Sequence, residues 1–396
     1  MGKKVVILGG GFGGLYTALR LGQLPWEDEA TPEITLVDQA DRFLFTPFLY
    51  ELLTGELETW EIAPPFSEIL ADTPIQFCQA QVSHINLVEK LIALSPQATL
   101  AYDYLVLALG GTTPTGQVPG VTDHALMFRT LADAYTLGER LKTLENSRQD
   151  KIRIVIVGAG PSGVELACKL SERLGNRGRI RLVDRNSQIL GGSPSFNQET
   201  AQRALEERQV WLDLDTTPEW LSANTIALKY KDQVDELPVD LVIWTVGTEV
   251  AGAIQALELP KNERGRILTT PTLQVMDYPD LFALGDLADV RDQTGQQVPT
   301  TAQAAFQEAD YVGWNVWASL NHRPLLPFSY SHLGEMLTLG TDSAALAGLG
   351  LQLDGSLAYL VRRLAYLYRM PTLEHQLKVG AKWVLSPLMD LLTTGV

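Results

Sequence analysis

The chain has 396 residues and 47 acidic against 31 basic side chains, a formal charge of −16; this balance repels phosphate backbones and argues against nucleic acid as a partner. Hydrophobic residues are 45% and charged residues 20%, too apolar for a disordered chain and enough to give two or three domains their own cores. The two cysteines, Cys78 and Cys168, lie far apart and in no CxxC pair, so neither a disulfide framework nor a dithiol centre is indicated, and a cytosol-facing location is expected.

The opening "MGKKVVILGG" enters a β-branched run directly, with no features of a secretory leader. No run reaches 18 uninterrupted apolar residues, so no segment is expected to span a bilayer, and surface attachment stays open. "KKVVILGG", "LYTALRL" and "EITLVD" then read as strand, helix and strand. Gly9, Gly11 and Gly14 fall between the first strand and the helix at Gly-x-Gly-x-x-Gly spacing, Gly13 sits among them, and Asp38 ends the second strand. Residues 72–102 read as a small β-meander, and "YDYLVLALGG" (102–111) as a buried strand ending in glycines.

The pattern returns in "KIRIVIVGAG", "GVELACKLSERL" and "RIRLVD", with Gly158, Gly160 and Gly163 in the turn and Asp184 closing the strand. In each copy the first glycine permits the tight turn, and the second lets the backbone approach a pyrophosphate. The third lets helix and strand pack, and the acid accepts from a ribose hydroxyl. "VDLVIWTVG", ending at Gly247, and "PDLFALGDLA", carrying Asp286, read as further buried strands whose carboxyl ends lie where cofactors sit in open α/β sheets. Asp286 suits either the hydroxyls and pyrophosphate of a bound dinucleotide or a helix cap.

Two dinucleotide sites in one chain point to a resident FAD in the first copy and an exchanging NAD(P)H in the second. The expected fold is α/β with two Rossmann-like dinucleotide-binding domains, 1–115 with 266–335 for FAD and 116–265 for NAD(P)H, followed by a C-terminal amphipathic membrane-association segment, 336–396. Asp184 disfavours a 2′-phosphate while the adjacent Arg185 can pair with one, so NADH against NADPH stays open.

Glu165 lies just inside the second fingerprint's helix. Its own neighbourhood reads plainly: Glu165, Lys169, Glu172 and Arg173 share one side, with Glu165 and Lys169 an i, i+4 pair on a solvated face. In "TAQAAFQEAD", Gln303 and Gln307 stand one turn apart among small alanines, which suits a planar ring with carbonyls to bond and equally suits an exposed helix. The 5 histidines are scattered, so no metal site is expected. In "SLAYLVRRLAYLYRM", Leu357, Leu360, Val361, Leu364, Leu367 and Tyr368 follow helical spacing, with Arg362, Arg363 and Arg369 largely off that stripe. Residues 356–385 hold five Lys/Arg and one Glu, the composition of an interfacial helix with its basic residues toward anionic headgroups; Trp383 adds an interfacial aromatic. Packing on the protein itself or at a homodimer contact is the other reading.

Taken together, these pieces resemble the two-dinucleotide-binding-domain flavoproteins and, in detail, the type II NAD(P)H:quinone oxidoreductases. The resemblance rests on "VDQADRFLFTPFLYELLTGEL" (37–57), on the FAxGD pattern in "FALGDLA", and above all on the AQxAxQ pattern met by Ala302, Gln303, Ala305 and Gln307. It implies Pro47 near the flavin, Ala302 and Gln303 at FAD, and Glu165, Gln303 and Gln307 as the catalytic set, Glu165 relaying protons to the quinone. The C-terminal wording is similar to the cyanobacterial and plastid branch, which implies NADPH and a naphthoquinone such as demethylphylloquinone. The resulting expectation is a non-proton-pumping enzyme, peripheral on the cytoplasmic side of a plasma or thylakoid membrane. A soluble ferredoxin or rubredoxin reductase and a low-turnover NAD(P)H sensor remain the alternatives.

Overall fold

The computed structural model describes residues 2–27, 31–116 and 118–393, with side chains described up to residue 385 in the last helix. The end of the C-terminal segment, 394–396, lies outside the described residues. The chain divides into two units: Met1–Phe43, Ala63–Thr112 and Thr248–Ser331 form the first, and Leu44–Ile62, Thr113–Gly247 and His332–Val396 the second. Residues 44–62 and the C-terminal segment therefore group with the second fingerprint, whereas the sequence division placed the former in the first domain and the latter apart.

The first unit is built on a six-stranded sheet in the order Gln274–Val275, Tyr278–Ala283, Tyr104–Leu107, Lys4–Leu8, Glu33–Asp38, Ile75–Gln79. All neighbouring pairs are parallel except the first. The central strands carry mostly buried apolar residues, among them Val5, Val6, Ile7, Leu8, Leu105 and Val106, because both faces are covered. Helix Phe12–Gln23 packs on helix Ala302–Leu320, and the approach is close enough that a Cβ on Gly313 would stand 2.6 Å from Arg20 Cγ. The meander expected over 72–102 is only partly one. Gln81–Asn86, Leu91–Ser95 and Ala98–Ala101 form the antiparallel sheet, but Ile75–Gln79 extends the parallel sheet beside Glu33–Asp38. Parallel pairing with a distant strand leaves no local pattern in the sequence to read.

The second unit has a five-stranded, all-parallel sheet in the order Trp211–Asp213, Gly178–Val183, Ile152–Val157, Leu241–Trp244, Ala125–Met127. An antiparallel three-stranded sheet, 216–238, closes a core of Val155, Val157, Val183, Leu228, Val242 and Trp244. Helix Leu131–Glu145 starts at a capping box in which Thr130 and Asp133 satisfy each other's backbone amides. A second three-stranded sheet, 335–354, leads into helices Gly355–Arg369 and Leu373–Thr393. Among the described residues no helix is long and apolar enough to cross a membrane.

Candidate functional site

The two fingerprints fold into the same turn, each within its own unit. Gly9 and Gly158 follow their strands at φ +103° and +108°, a left-handed region that favours glycine. A Cβ on Gly14 would lie 1.7 Å from the Gly9 carbonyl oxygen, and one on Gly163 would lie 1.8 Å from that of Gly158. Only glycine lets these helices close on their strands. By contrast, Gly11 and Gly160, the N-caps of helices Phe12–Gln23 and Pro161–Leu174, have nothing within 4 Å of a built Cβ and no side-chain cap. Each turn thus keeps an open space in front of uncapped helix amides, which is the cradle a pyrophosphate fills. The acids match as well: Asp38 accepts from the Gly10 and Ala40 amides at 2.5 and 2.8 Å, and Asp184 from the Ala159 and Asn186 amides at 2.6 and 2.8 Å. A carboxylate so placed retains lone pairs for a ribose hydroxyl.

In the first unit, Gly13 faces Leu284 at 3.1 Å from a built Cβ. Asp286 lies in the turn Gly285–Leu287, whose cap position is Leu284, so Asp286 is not its N-cap. The Gly285 amide instead donates at 2.7 Å to Glu308, a buried carboxyl pushed up to about 7 by desolvation, with Asp286 adding to the rise. Helix Ala302–Leu320 begins at Thr301, which caps Ala304. Gln303 accepts from the Tyr330 hydroxyl at 3.0 Å, while both ends of the Gln307 amide bond the Ser331 backbone, at 2.9 and 3.0 Å. Gln307 thereby clamps the segment after Tyr330 in addition to any role toward a ring. In the second unit, Gly247 takes φ +77°, and Arg185 is exposed beside Asp184.

Glu165 departs from the plain reading of its helix. The pair with Lys169 on a solvated face does not form: Glu165 is 6% exposed and Lys169 wholly buried, and Lys169 bonds Glu56 instead. Glu165 accepts from the Thr338 amide at 2.8 Å and stands 3.9 Å from Arg362 Nη2. Burial pushes its carboxyl up to about 7, opposed by the nearby Arg362 charge and the Thr338 hydrogen bond. Glu172 and Arg173 also turn inward, to Arg208 and the Thr341 amide and to Glu145 respectively. The face is buried because strand Glu335–Thr338 and the residues after it pack on the helix.

Arg362 likewise does not face outward. It is wholly buried, donating to Glu51 and to the Pro47 carbonyl, each at 2.6 Å, and packed against the rings of Phe48 and Tyr366. Pro47 therefore belongs, by its contacts, to this second-unit cluster. Lys382 pairs with Glu58 and Glu61 at 3.0 and 2.8 Å, and Arg363 stacks on Trp383. Three basic residues expected at lipid headgroups are thus turned toward protein. Meanwhile Leu357, Leu360, Leu364 and Tyr368 are each more than half exposed.

The sequence reading missed the acids that make this possible. In "YELLTGELETWEI", Glu51, Glu56 and Glu61 recur every fifth residue. The first binds Arg362; the second binds Lys169 and the Tyr359 hydroxyl; the third binds Lys382 and the Trp383 indole. His375 bonds the Glu61 carbonyl at 2.8 Å. Four acids within 13 residues, three of them at this regular spacing among apolar side chains, were the available signal, since such acids are buried only when paired.

Comparison with known proteins places this geometry. Residues 3–309 match the pyridine nucleotide-disulphide oxidoreductase family. The demethylphylloquinone reductase NdbB of Synechocystis is 55% identical over 393 residues, 98% of this chain and 97% of the relative. The chain belongs to that family, among the type II NAD(P)H:quinone oxidoreductases. A further relative in it, the alternative NAD(P)H-ubiquinone oxidoreductase C1 of Arabidopsis thaliana, is 42% identical over 98% of this chain and 81% of its own. The fold agrees with that of the NDH2 of Plasmodium falciparum solved with NADH, at TM-score 0.85 and 17% identity, covering 96% of this chain and 97% of the other. The cofactors of this family member are FAD and NAD(P)H, and the two glycine cradles fit them. Both cysteines are free, and burial pushes the Cys168 thiol up to about 12.

Proposed function

We propose that this oxidoreductase holds FAD at Gly9–Gly14 with Asp38, Asp286, Ala302 and Gln303, and NAD(P)H at Gly158–Gly163 with Asp184, Arg185 and Gly247. It passes two electrons to a membrane quinone without moving protons across the membrane. FAD, when bound, accepts a hydride and returns its two electrons. The chain's own residues supply the rest. The uncapped helix amides at Gly11 and Gly160 receive pyrophosphates. A quinone that gains two electrons also takes up two protons, and Glu165 is the group suited to deliver one. The observation that carries this reading is the burial of that carboxyl in the second fingerprint's helix, with the Thr338 amide on one oxygen and Arg362 3.9 Å away, a setting that pushes it up to about 7.

The 55% identity to a demethylphylloquinone reductase supports a naphthoquinone as acceptor. Asp184 already accepts from two backbone amides and the Asn186 side chain, at 2.6–2.8 Å. With its charge so met and Arg185 exposed beside it, NADPH is favoured. The exposed leucine row supports attachment to the face of a membrane, and the proposed location is the cytoplasmic side of a plasma or thylakoid membrane. Anaerobic reduction of the bound flavin by each nucleotide, followed by reoxidation with a quinone series, tests the whole sequence. Glu165→Gln should keep its flavin and its reduction by NAD(P)H, and slow reoxidation by quinone about 10²-fold or more, the usual worth of a general acid; reoxidation at the wild-type rate rejects the relay.

A further inference from the structure

Glu51, Arg362 and Glu165 enclose two carboxyls and one guanidinium in a space closed to water. Arg362 Nη1 bonds Glu51 at 2.6 Å and Nη2 bonds the Pro47 carbonyl at 2.6 Å, while the Nη2–Glu165 separation is 3.9 Å, beyond a hydrogen bond. Phe48 and Tyr366, packed edge to face on one another, both lie against the guanidinium, with ring centroids at 5.2 and 5.0 Å. Each Nη carries two hydrogens, so Nη2 keeps one after bonding Pro47. The charges in this space cancel when one of the two carboxyls holds a proton. The short charge-assisted bond commits the cation to Glu51 and leaves Glu165 with the Thr338 amide.

We propose that Glu51, Arg362 and Glu165 form a charge-sharing triad in which Arg362, committed to Glu51, is the positioning residue that makes Glu165 the carboxyl that exchanges its proton. The proposal rests on the relay reading of Glu165. The step it describes is a proton transfer alone: the Glu165 O–H bond breaks, the proton goes to an oxygen of the reduced quinone, and Glu165 is later reprotonated from solvent. While Glu165 is ionised, the guanidinium charge 3.9 Å away steadies it through space. Of the other groups near Glu165, Tyr50 and Tyr366 are neutral and Lys169 is a cation paired elsewhere. Tyr50, from the 44–62 segment, has its hydroxyl on Ser162 at 3.0 Å, and burial and the facing carboxylates raise its own pKa well above the usual phenol value. Tyr366, from helix Gly355–Arg369, is raised to about 12. Lys169, one turn along from Glu165, is held by Glu56.

The triad predicts opposite effects from its two outer members. In the holoenzyme, infrared absorption of the protonated carboxyl is followed through a pH titration, with Glu165→Gln identifying the band. Arg362→Met removes the steadying cation and should move the Glu165 midpoint upward by about one pH unit or more. Glu51→Gln releases the cation to Glu165 and should move it downward by a similar amount. Loss of a purely structural brace would lower turnover in both variants with no opposed midpoints, and midpoints that stay put or move together overturn the triad. Should Arg362→Met fail to fold, Glu51→Gln, which preserves shape, and Arg362→Lys, which should restore most of the wild-type midpoint, decide the matter alone. Unmoved midpoints alongside slow quinone reduction in Glu165→Gln overturn the triad and spare the relay. Wild-type turnover in Glu165→Gln overturns the relay and the positioning role together.

Discussion

Replacing Lys169 by methionine tests which acid is its partner. The ammonium is wholly buried and bonds Glu56, which also accepts from the hydroxyls of Thr54 and, at 2.8 Å, Tyr359. Without Lys169, Glu56 is left a largely buried anion with neutral donors only, a change that costs about 3–5 kcal/mol. At roughly 2–4 °C per kcal/mol for units of this size, the holoenzyme's thermal midpoint should fall by about 6–20 °C, read by circular dichroism or calorimetry. Adding Glu56→Gln removes the stranded charge while keeping an acceptor for Tyr359, and should recover most of the loss. Glu165→Gln on the same background should recover little, because Glu165 does not bond Lys169. Rescue by Glu165→Gln and not by Glu56→Gln would refute the pairing, and with it the buried placement of this helix face.

Gly11→Ala and Gly160→Ala should both fold with near wild-type stability, since a Cβ at either position meets nothing within 4 Å. The first should lose FAD on purification; the second should keep FAD and raise the KM for NAD(P)H at least about tenfold, because each methyl enters the space of one pyrophosphate. The reverse pattern would exchange the two nucleotide assignments. Glu165 has its pKa raised from 4.5 to about 7 on folding, so the folded state binds more protons between those values and stability is lost as pH rises through them. Glu165→Gln should therefore gain stability over wild type above pH 7, by about 3 kcal/mol at most, in denaturant titrations at pH 5 and 8; an equal difference at both pH values would contradict the shift. Replacing Leu357, Leu360 and Leu364 together by aspartate should abolish sedimentation with anionic vesicles while turnover with a water-soluble quinone persists. Unchanged sedimentation would remove the leucine row from membrane binding, and conversion of a dimer to a monomer would assign it to self-association.

The glycine turns were legible because their information is local. A Gly-x-Gly-x-x-Gly between strand and helix leaves one turn that avoids collision with a carbonyl 1.7–1.8 Å away, whatever the rest of the chain does. The C-terminal helix was half legible. Leu357, Leu360 and Leu364 are exposed as their spacing suggested while Val361 and Leu367 are half-buried, and the periodicity could not say which way Arg362 turns, because the acid that draws it inward is Glu51, far away in sequence. Lys169 shows the same limit: the i+4 neighbour was the nearest acid in the chain, and Glu56 the nearest in space.

By itself, then, the sequence determined that two dinucleotide turns exist and where each begins, since these follow from residues within a few positions of one another. Only the tertiary structure decided that Glu165 is a buried acid and no surface partner of Lys169. Its state depends on desolvation and on the field of Thr338, Arg362 and Glu51, brought together from three distant parts of the chain. Burial in a low dielectric is a property of everything packed around a group, and no short stretch of sequence contains it.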